Sequence, residues 1–210
     1  MIFFKYIIME WKIVLWLEHI FIYWSYSLYI LYKNRKQIKY DKINKSIIFN
    51  VISNQIIGTS IFYYFNIDVI ESDVMELVPL IIDLIILSFI HSVYFYTLHY
   101  LFHTNFLYRS LHYIHHQNYI TYPHTAINCH ILEHIFVNIM SVLVGTKIWL
   151  CHKNSIIIWV WFATGSSINT HSGFLRKDNP AKHDYHHLLK NVNYSSGYSF
   201  MDRIFGTYKI

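Results

Sequence analysis

Apolar positions in this chain fall into five long blocks, at 11–32, 47–66, 77–98, 131–150 and 155–170, separated by short polar connections. A hydrocarbon core about 30 Å thick takes about 20 helical residues to cross, so each block is read as a candidate span. The last is short, and the first carries Glu18 and His19. The pattern predicts an all-α fold, a polytopic membrane helical bundle. The opening "MIFFKYIIMEWKIVLWLEHI" has no small-residue cleavage site and acidic residues interrupt it, so it is read as a retained anchor. Residues 1–75 are assigned to N-terminal membrane-anchor helices and 76–210 to a second, histidine-bearing domain.

The polar connections orient the spans. The first holds Lys33, Arg35, Lys36, Lys39, Lys42 and Lys45 against the single acid Asp41, which the positive-inside rule makes cytosolic. The next, with Asp68, Glu71, Asp73 and Glu76 and no base, belongs on the far side. The third span then returns to the cytosol and ends at "LHYLFH". The fourth and fifth form a hairpin turned by "CHKN" at 151–154, which brings the neighbourhoods of His130 and His171 to the same cytosolic face. Cys129 and Cys151 lie at opposite ends of the fourth span, too far apart for a disulfide, and are expected as free thiols.

Composition agrees with a multi-pass integral membrane protein: 54% of residues are apolar, 19% aromatic and only 14% charged. The net charge of +5 comes largely from the connection at 33–45, where it serves orientation, so no nucleic-acid partner is expected. No Ser-His-Asp order and no Gly-rich phosphate loop is discernible.

Histidine changes the picture most. Fourteen of the 15 histidines fall between residues 91 and 187, and the pattern of three at i, i+3 and i+4 occurs twice, as "HYIHH" (112–116) and "HDYHH" (183–187). Roughly 0.07 such patterns are expected by chance in a chain of this composition. With "HYLFH" at His99 and His103, the motifs offer eight imidazoles: His99, His103, His112, His115, His116, His183, His186 and His187. On a helix each set lies on one stripe. All fall on the face that charge and hydropathy alone make cytosolic, which predicts a histidine-rich helical cap there. Eight ligands are too many for one metal and about right for two. Imidazole suits iron, zinc, copper and nickel alike, but zinc has no redox activity, whereas two irons beside a hydrocarbon phase could use dioxygen on a lipid C–H bond. His171, twelve residues before the second triplet, is a candidate ninth ligand, and His130 a tenth. Ligating histidines usually give their second nitrogen to a carboxylate or carbonyl, so Glu133, Asp184 and Asn169 are candidate catalytic residues supporting the ligands. His134 is read as ligand, supporting partner or helix-end anchor. His19, His91, His124 and His152 are read as packing or interfacial residues.

The series "HYLFH", "HYIHH", "CHILE", "NTHSGF", "HDYHH" and "MDRIFGTY", covering residues 91–208, resembles the fatty acid hydroxylase superfamily, which includes sterol desaturases, 4-methylsterol oxidases and cholesterol 25-hydroxylase. The resemblance implies that the eight histidines of three histidine boxes bind a non-haem dimetal centre, with His171 matching the histidine of the family's H-S-G element. It also implies dioxygen as oxidant and electrons from cytochrome b5 or an NAD(P)H reductase, an electron-donor protein docking at the cytosolic face. Two iron ions are expected, with zinc as a substitute on purification. A lipid substrate, sterol or fatty acyl, and the endoplasmic reticulum follow from the same resemblance. Where the family often has His-Pro-x-Glu, this chain keeps His130 and Glu133 without the proline. The expected function is hydroxylation, oxidative demethylation or desaturation of a lipid. The rival is a membrane metal transporter, or a metal-binding protein without oxygenase activity; only Asp83 and His91, within the third span, favour it.

Overall fold

The computed structural model describes residues 2–35, 44–65, 67–71, 76–118, 121–172 and 182–209. Lys36, Lys39, Asp41 and Lys42 of the basic connection, Asp73 of the acidic one, and Gly173 and Phe174 after His171 lie outside them. Helices occupy all five expected blocks: α1 (Ile2–Lys33), α2 (Lys45–Tyr64), α3 (Leu77–Phe102), a broken helix over 131–148, and α8 (Lys153–Thr170). Among the described residues, two segments, Trp11–Lys33 and Leu77–Phe102, are long and apolar enough to cross a membrane. Their outward faces carry large apolar side chains such as Phe21, Ile85 and Phe89, all exposed, as lipid contact would favour.

The other helices carry polar residues because they support the interior. Asn44 starts α2 by accepting from the Ser46 N–H at 3.0 Å, which satisfies one orphan donor of the first turn. Nearly three turns further along α2, the buried Asn54 amide donates to the Ile127 and Cys129 carbonyls at 2.9 and 3.0 Å, holding the connection that follows the first triplet. At the other end of α2 the buried Lys12 ammonium of α1 donates to the Phe65 carbonyl at 2.6 Å, placing positive charge at a helix C-terminus.

The broken helix consists of α5 (Ile131–Glu133), a π-helical turn at His134–Ile139, α6 (Met140–Leu143) and α7 (Gly145–Ile148). The π-turn packs against α2 at Gly58, where a Cβ would stand 2.8 Å from His134 Nε2 and 2.9 Å from Ile139 Cδ1. A side chain there would require the His134 and Ile139 side chains to shift. At the Leu77 end of α3, a two-residue parallel ladder joins β1 (Val69–Ile70) to β2 (Cys151–His152). Asp83 ties it down by accepting from Trp149 Nε1 at 2.7 Å and His152 N at 3.2 Å. One core beside this ladder includes Trp11, Leu15, Leu87 and Trp159; a second includes Tyr23, Val51, Ile127 and Ile168, so α1 and α2 share both cores with later elements. Cys129 and Cys151 are both free and buried.

Candidate metal centre

The histidines gather at the Phe102 end of α3, opposite the ladder. His99 is in the last turn of α3 and His103 caps it. After the short α4 (Asn105–Ser110), the first triplet lies on a 3-10 helix, His112–Gln117, rather than the α-helix that its spacing suggests. His171 ends α8, and the second triplet lies on α9 (Lys182–Leu189).

Nine imidazoles form two adjoining groups, His99, His103, His112, His116 and His186 in one, and His115, His171, His183 and His187 in the other, with ligand atoms in each group within 4.8 Å of one another. Each triplet is divided. His112 and His116 enter the first group while His115 enters the second; His183 and His187 enter the second while His186 enters the first. Neither group can therefore move without the other, and the rings of His116 and His187 meet across the boundary with centroids 4.6 Å apart.

The Nε2 atoms face inward. In the group of five, successive Nε2···Nε2 separations are 3.2 Å (His99 and His112), 2.9 Å (His112 and His103), 3.0 Å (His103 and His186) and 3.1 Å (His186 and His116). In the group of four they are 3.3 Å (His115 and His171), 3.1 Å (His171 and His183) and 3.2 Å (His183 and His187). Two imidazoles about 2.1 Å from a shared ion stand about 3.0 Å apart at a right angle and about 3.4 Å at a tetrahedral angle, so these spacings suit ligands of a common ion.

Outward, three Nδ1 atoms meet backbone carbonyls at 2.8 Å or less, whereas those of His112, His116, His183 and His187 have no hydrogen-bond partner among the described residues. His99 donates to the Tyr194 carbonyl at 2.7 Å, His186 to the Val192 carbonyl at 2.7 Å, and His171 to the Ser167 carbonyl at 2.8 Å. A carbonyl only accepts, so the hydrogen of these rings is on Nδ1 and the inward Nε2 carries a bare lone pair. Glu133 Oε1 lies 2.9 Å from His112 Nδ1, both groups being buried, but off hydrogen-bond geometry, and burial raises the Glu133 carboxyl well above its ordinary value. The bare Nε2 lone pairs of His99, His171 and His186 thus point into the two groups, where a cation would satisfy them. The donor set fits a pair of metal ions.

Protonation favours the same state. Burial, then the neighbouring imidazoles, hold His112, His115, His183, His186 and His187 well below the ordinary value of 6.5. Burial first lowers His116 to about 3, and His171 to about 4. All are neutral at pH 7. In the metal-stripped protein these groups lie below their unfolded value, so stability is full above pH 6.5 and is lost as pH falls and the unfolded chain takes up protons that the folded one refuses. Each such group steepens the loss by about 1.4 kcal/mol per pH unit. The thermal midpoint of the stripped protein is expected to be flat from pH 9 to 7 and to drop steeply from pH 6.5 to 4. A midpoint independent of pH across that window would contradict the buried neutral state.

Other residues singled out in the sequence take different places. His130 is in neither group; it caps α5, its Nδ1 accepting from Leu132 N at 3.2 Å. Asp184 accepts from the Thr121 hydroxyl at 2.6 Å, tying α9 to the segment after the first triplet, and Asn169 accepts from the Tyr26 hydroxyl at 2.9 Å on α1. Of the three carboxylate and amide candidates, Glu133 lies against a candidate ligand, His112; Glu133→Ala is expected to weaken metal retention roughly 10–100-fold in chelator competition. Retention equal to the parent protein would show that Glu133 does not support His112. The carbonyls of Val192, Tyr194 and Ser167 escape sequence reasoning because every residue has one. Asp202, which holds the segment bearing two of them, is visible only as part of "MDRIFGTY".

A cavity of about 20 Å³ lies between the groups, lined by Phe95, Glu133, Asn138, Ser167, His171 and Ser196 among others, with room for about one water-sized molecule. Phe95, Asn138, Ser167 and Ser196 also line a second cavity, of about 280 Å³, that runs between α1, α2, α3 and α8. No Lys, Arg, Asp or Glu is among the described residues lining it.

A sequence profile described as "Fatty acid hydroxylase" matches residues 84–207, which holds all nine imidazoles and Glu133. The chain belongs to the fatty acid hydroxylase family. Among its relatives is a protein of Dictyostelium discoideum described as a methylsterol monooxygenase, 32% identical over 132 residues, or 56% of this chain and 47% of that protein. Human fatty acid hydroxylase domain-containing protein 2 is 30% identical over 129 residues, 60% of this chain and 38% of its own length. The chain thus spans about half the length, or less, of these relatives. No solved structure matches it.

Proposed function

We propose that the chain is a multi-pass membrane oxygenase with a non-haem diiron centre that hydroxylates, oxidatively demethylates or desaturates a lipid. The observation that carries this reading is that a largely apolar cavity, with no Lys, Arg, Asp or Glu among its described lining residues, adjoins the space between the two imidazole groups and shares Phe95, Asn138, Ser167 and Ser196 with it as a common wall. His99, His103, His112, His116 and His186 would hold one iron and His115, His171, His183 and His187 the other. When bound, such a pair supplies dioxygen activation and the oxidising power needed at an unactivated C–H bond. The protein's part is placement: carbonyls fix the tautomers of His99, His171 and His186, Glu133 stands against His112, and Phe62, Phe95 and Trp159 exclude water and guide a hydrocarbon toward the imidazoles.

Positive charge in the first connection supports a cytosolic histidine cap on an anchor of residues 1–75, with 76–210 as the catalytic domain. Cytochrome b5 or an NAD(P)H reductase would deliver electrons there, and the endoplasmic reticulum is the proposed compartment. The transporter reading loses its support, because Asp83 is engaged by Trp149 and His152 and the His91 ring packs on Trp159 with centroids 5.4 Å apart. The test is metal analysis of protein expressed in iron-supplemented cells, followed by lipid oxidation with a cytochrome b5 reductase system. About two irons per chain and dioxygen-dependent lipid oxidation are expected; folded protein without bound metal would end the enzyme reading.

A further inference from the structure

The larger cavity has polar groups that the metal centre does not use. His19 of α1 and Thr164 of α8 both line it, with His19 Nδ1 2.9 Å from Thr164 Oγ1. The Thr164 hydroxyl gives its hydrogen to the Val160 carbonyl at 2.7 Å, so it can only accept from His19. His19 therefore carries its hydrogen on Nδ1 and keeps Nε2 as a bare acceptor. Gln55 of α2 supplies the complement. Its Oε1 accepts from Trp24 Nε1 at 2.9 Å, which fixes the amide orientation, and its buried Nε2 has no partner among the described residues.

We propose that His19 and Gln55 bind the hydroxyl of a neutral lipid alcohol whose carbon skeleton extends along the cavity to the imidazoles. The proposal rests on the lipid-oxygenase reading above and names the substrate class. A hydroxyl has the hydrogen that His19 Nε2 lacks and the lone pairs that Gln55 Nε2 lacks. Carboxylate and phosphate offer no hydrogen to His19, and their charge would meet no Lys or Arg among the described residues of the wall. An ester or ketone could answer Gln55 alone. Thr164 precedes His171 by seven residues on α8, a rise of roughly 10 Å, so the carbon that reaches the metals is remote from the hydroxyl-bearing one.

The test is equilibrium binding to the purified, metal-loaded full chain in nanodiscs, using radiolabelled cholesterol and hexadecanol, their methyl ethers, and hexadecanoic acid. Each alcohol is expected to bind about tenfold tighter than its ether to the parent protein, a comparison needing no variant. His19→Phe and Gln55→Met should each shrink that ratio toward one while metal content stays at the parent level. Equal binding of alcohol and ether, or preference for hexadecanoic acid over hexadecanol, overturns the proposal with the oxygenase reading intact. Failure of every lipid to bind metal-loaded protein overturns the lipid reading, and this proposal with it.

Discussion

His186→Ala is expected to abolish turnover, by at least about 100-fold, and to lower bound metal from about two ions per chain to about one. His186 is fully buried, and its Nε2 meets both His103, at 3.0 Å, and His116, at 3.1 Å. Alanine removes the imidazole that links two other ligands and leaves a polar hole that no neighbour can fill. The group of four keeps all its ligands, so metal should persist there. His187→Ala is the reciprocal experiment: it leaves the group of five intact and should spare the other ion. His152→Ala is the control, because its ring is in neither group, and should alter neither metal nor turnover. Metal analysis with single-turnover assays reads all three. Equal effects of His152→Ala and His186→Ala would sink the assignment, while complete metal loss from both His186→Ala and His187→Ala would mean that the groups bind only together.

Asp202→Ala should be nearly as damaging without touching a ligand. The buried carboxylate accepts from Tyr194 N at 2.7 Å and Thr207 Oγ1 at 2.8 Å through Oδ1, and from Ser195 N at 3.0 Å through Oδ2. It thereby clamps the segment whose Val192 and Tyr194 carbonyls orient His186 and His99. Alanine orphans three donors, at about 1–3 kcal/mol each, so stability should fall by on the order of 3–9 kcal/mol. Metal affinity should fall roughly 10–100-fold, since rings free to turn about their Nδ1 partners no longer present Nε2 to one point. Asp202→Asn keeps the shape but turns an amide N–H toward a donor, and should lie between. Thermal midpoints and metal retention under chelator are the measurements. Parent-level retention in Asp202→Ala would show that the clamp does not position the ligands.

The helices could be placed from sequence because long apolar blocks constrain only local structure. α3 satisfies its own backbone hydrogen bonds wherever it packs, and its length follows from the run of apolar residues. The first triplet shows where such local reasoning stops: a spacing of i, i+3 and i+4 reads as one face of an α-helix, yet "HYIHH" lies on a 3-10 helix. His130 shows a different limit. Its proximity to Glu133 in sequence makes both candidates, but only Glu133 turns toward the imidazoles, because His130 is spent on capping α5.

Residue type and spacing by themselves determined a helical, lipid-compatible chain, its rich supply of imidazoles, and the conclusion that they exceed what one metal requires. The division of both triplets into groups of five and four, the carbonyls that set the tautomers, and the cavity that meets the imidazoles were decided only by tertiary structure. The reason is range. A helix sets which side chains share a stripe over a few residues, whereas His99 takes its hydrogen-bond partner from Tyr194, 95 positions away, once α3, α8, α9 and the C-terminal segment have packed.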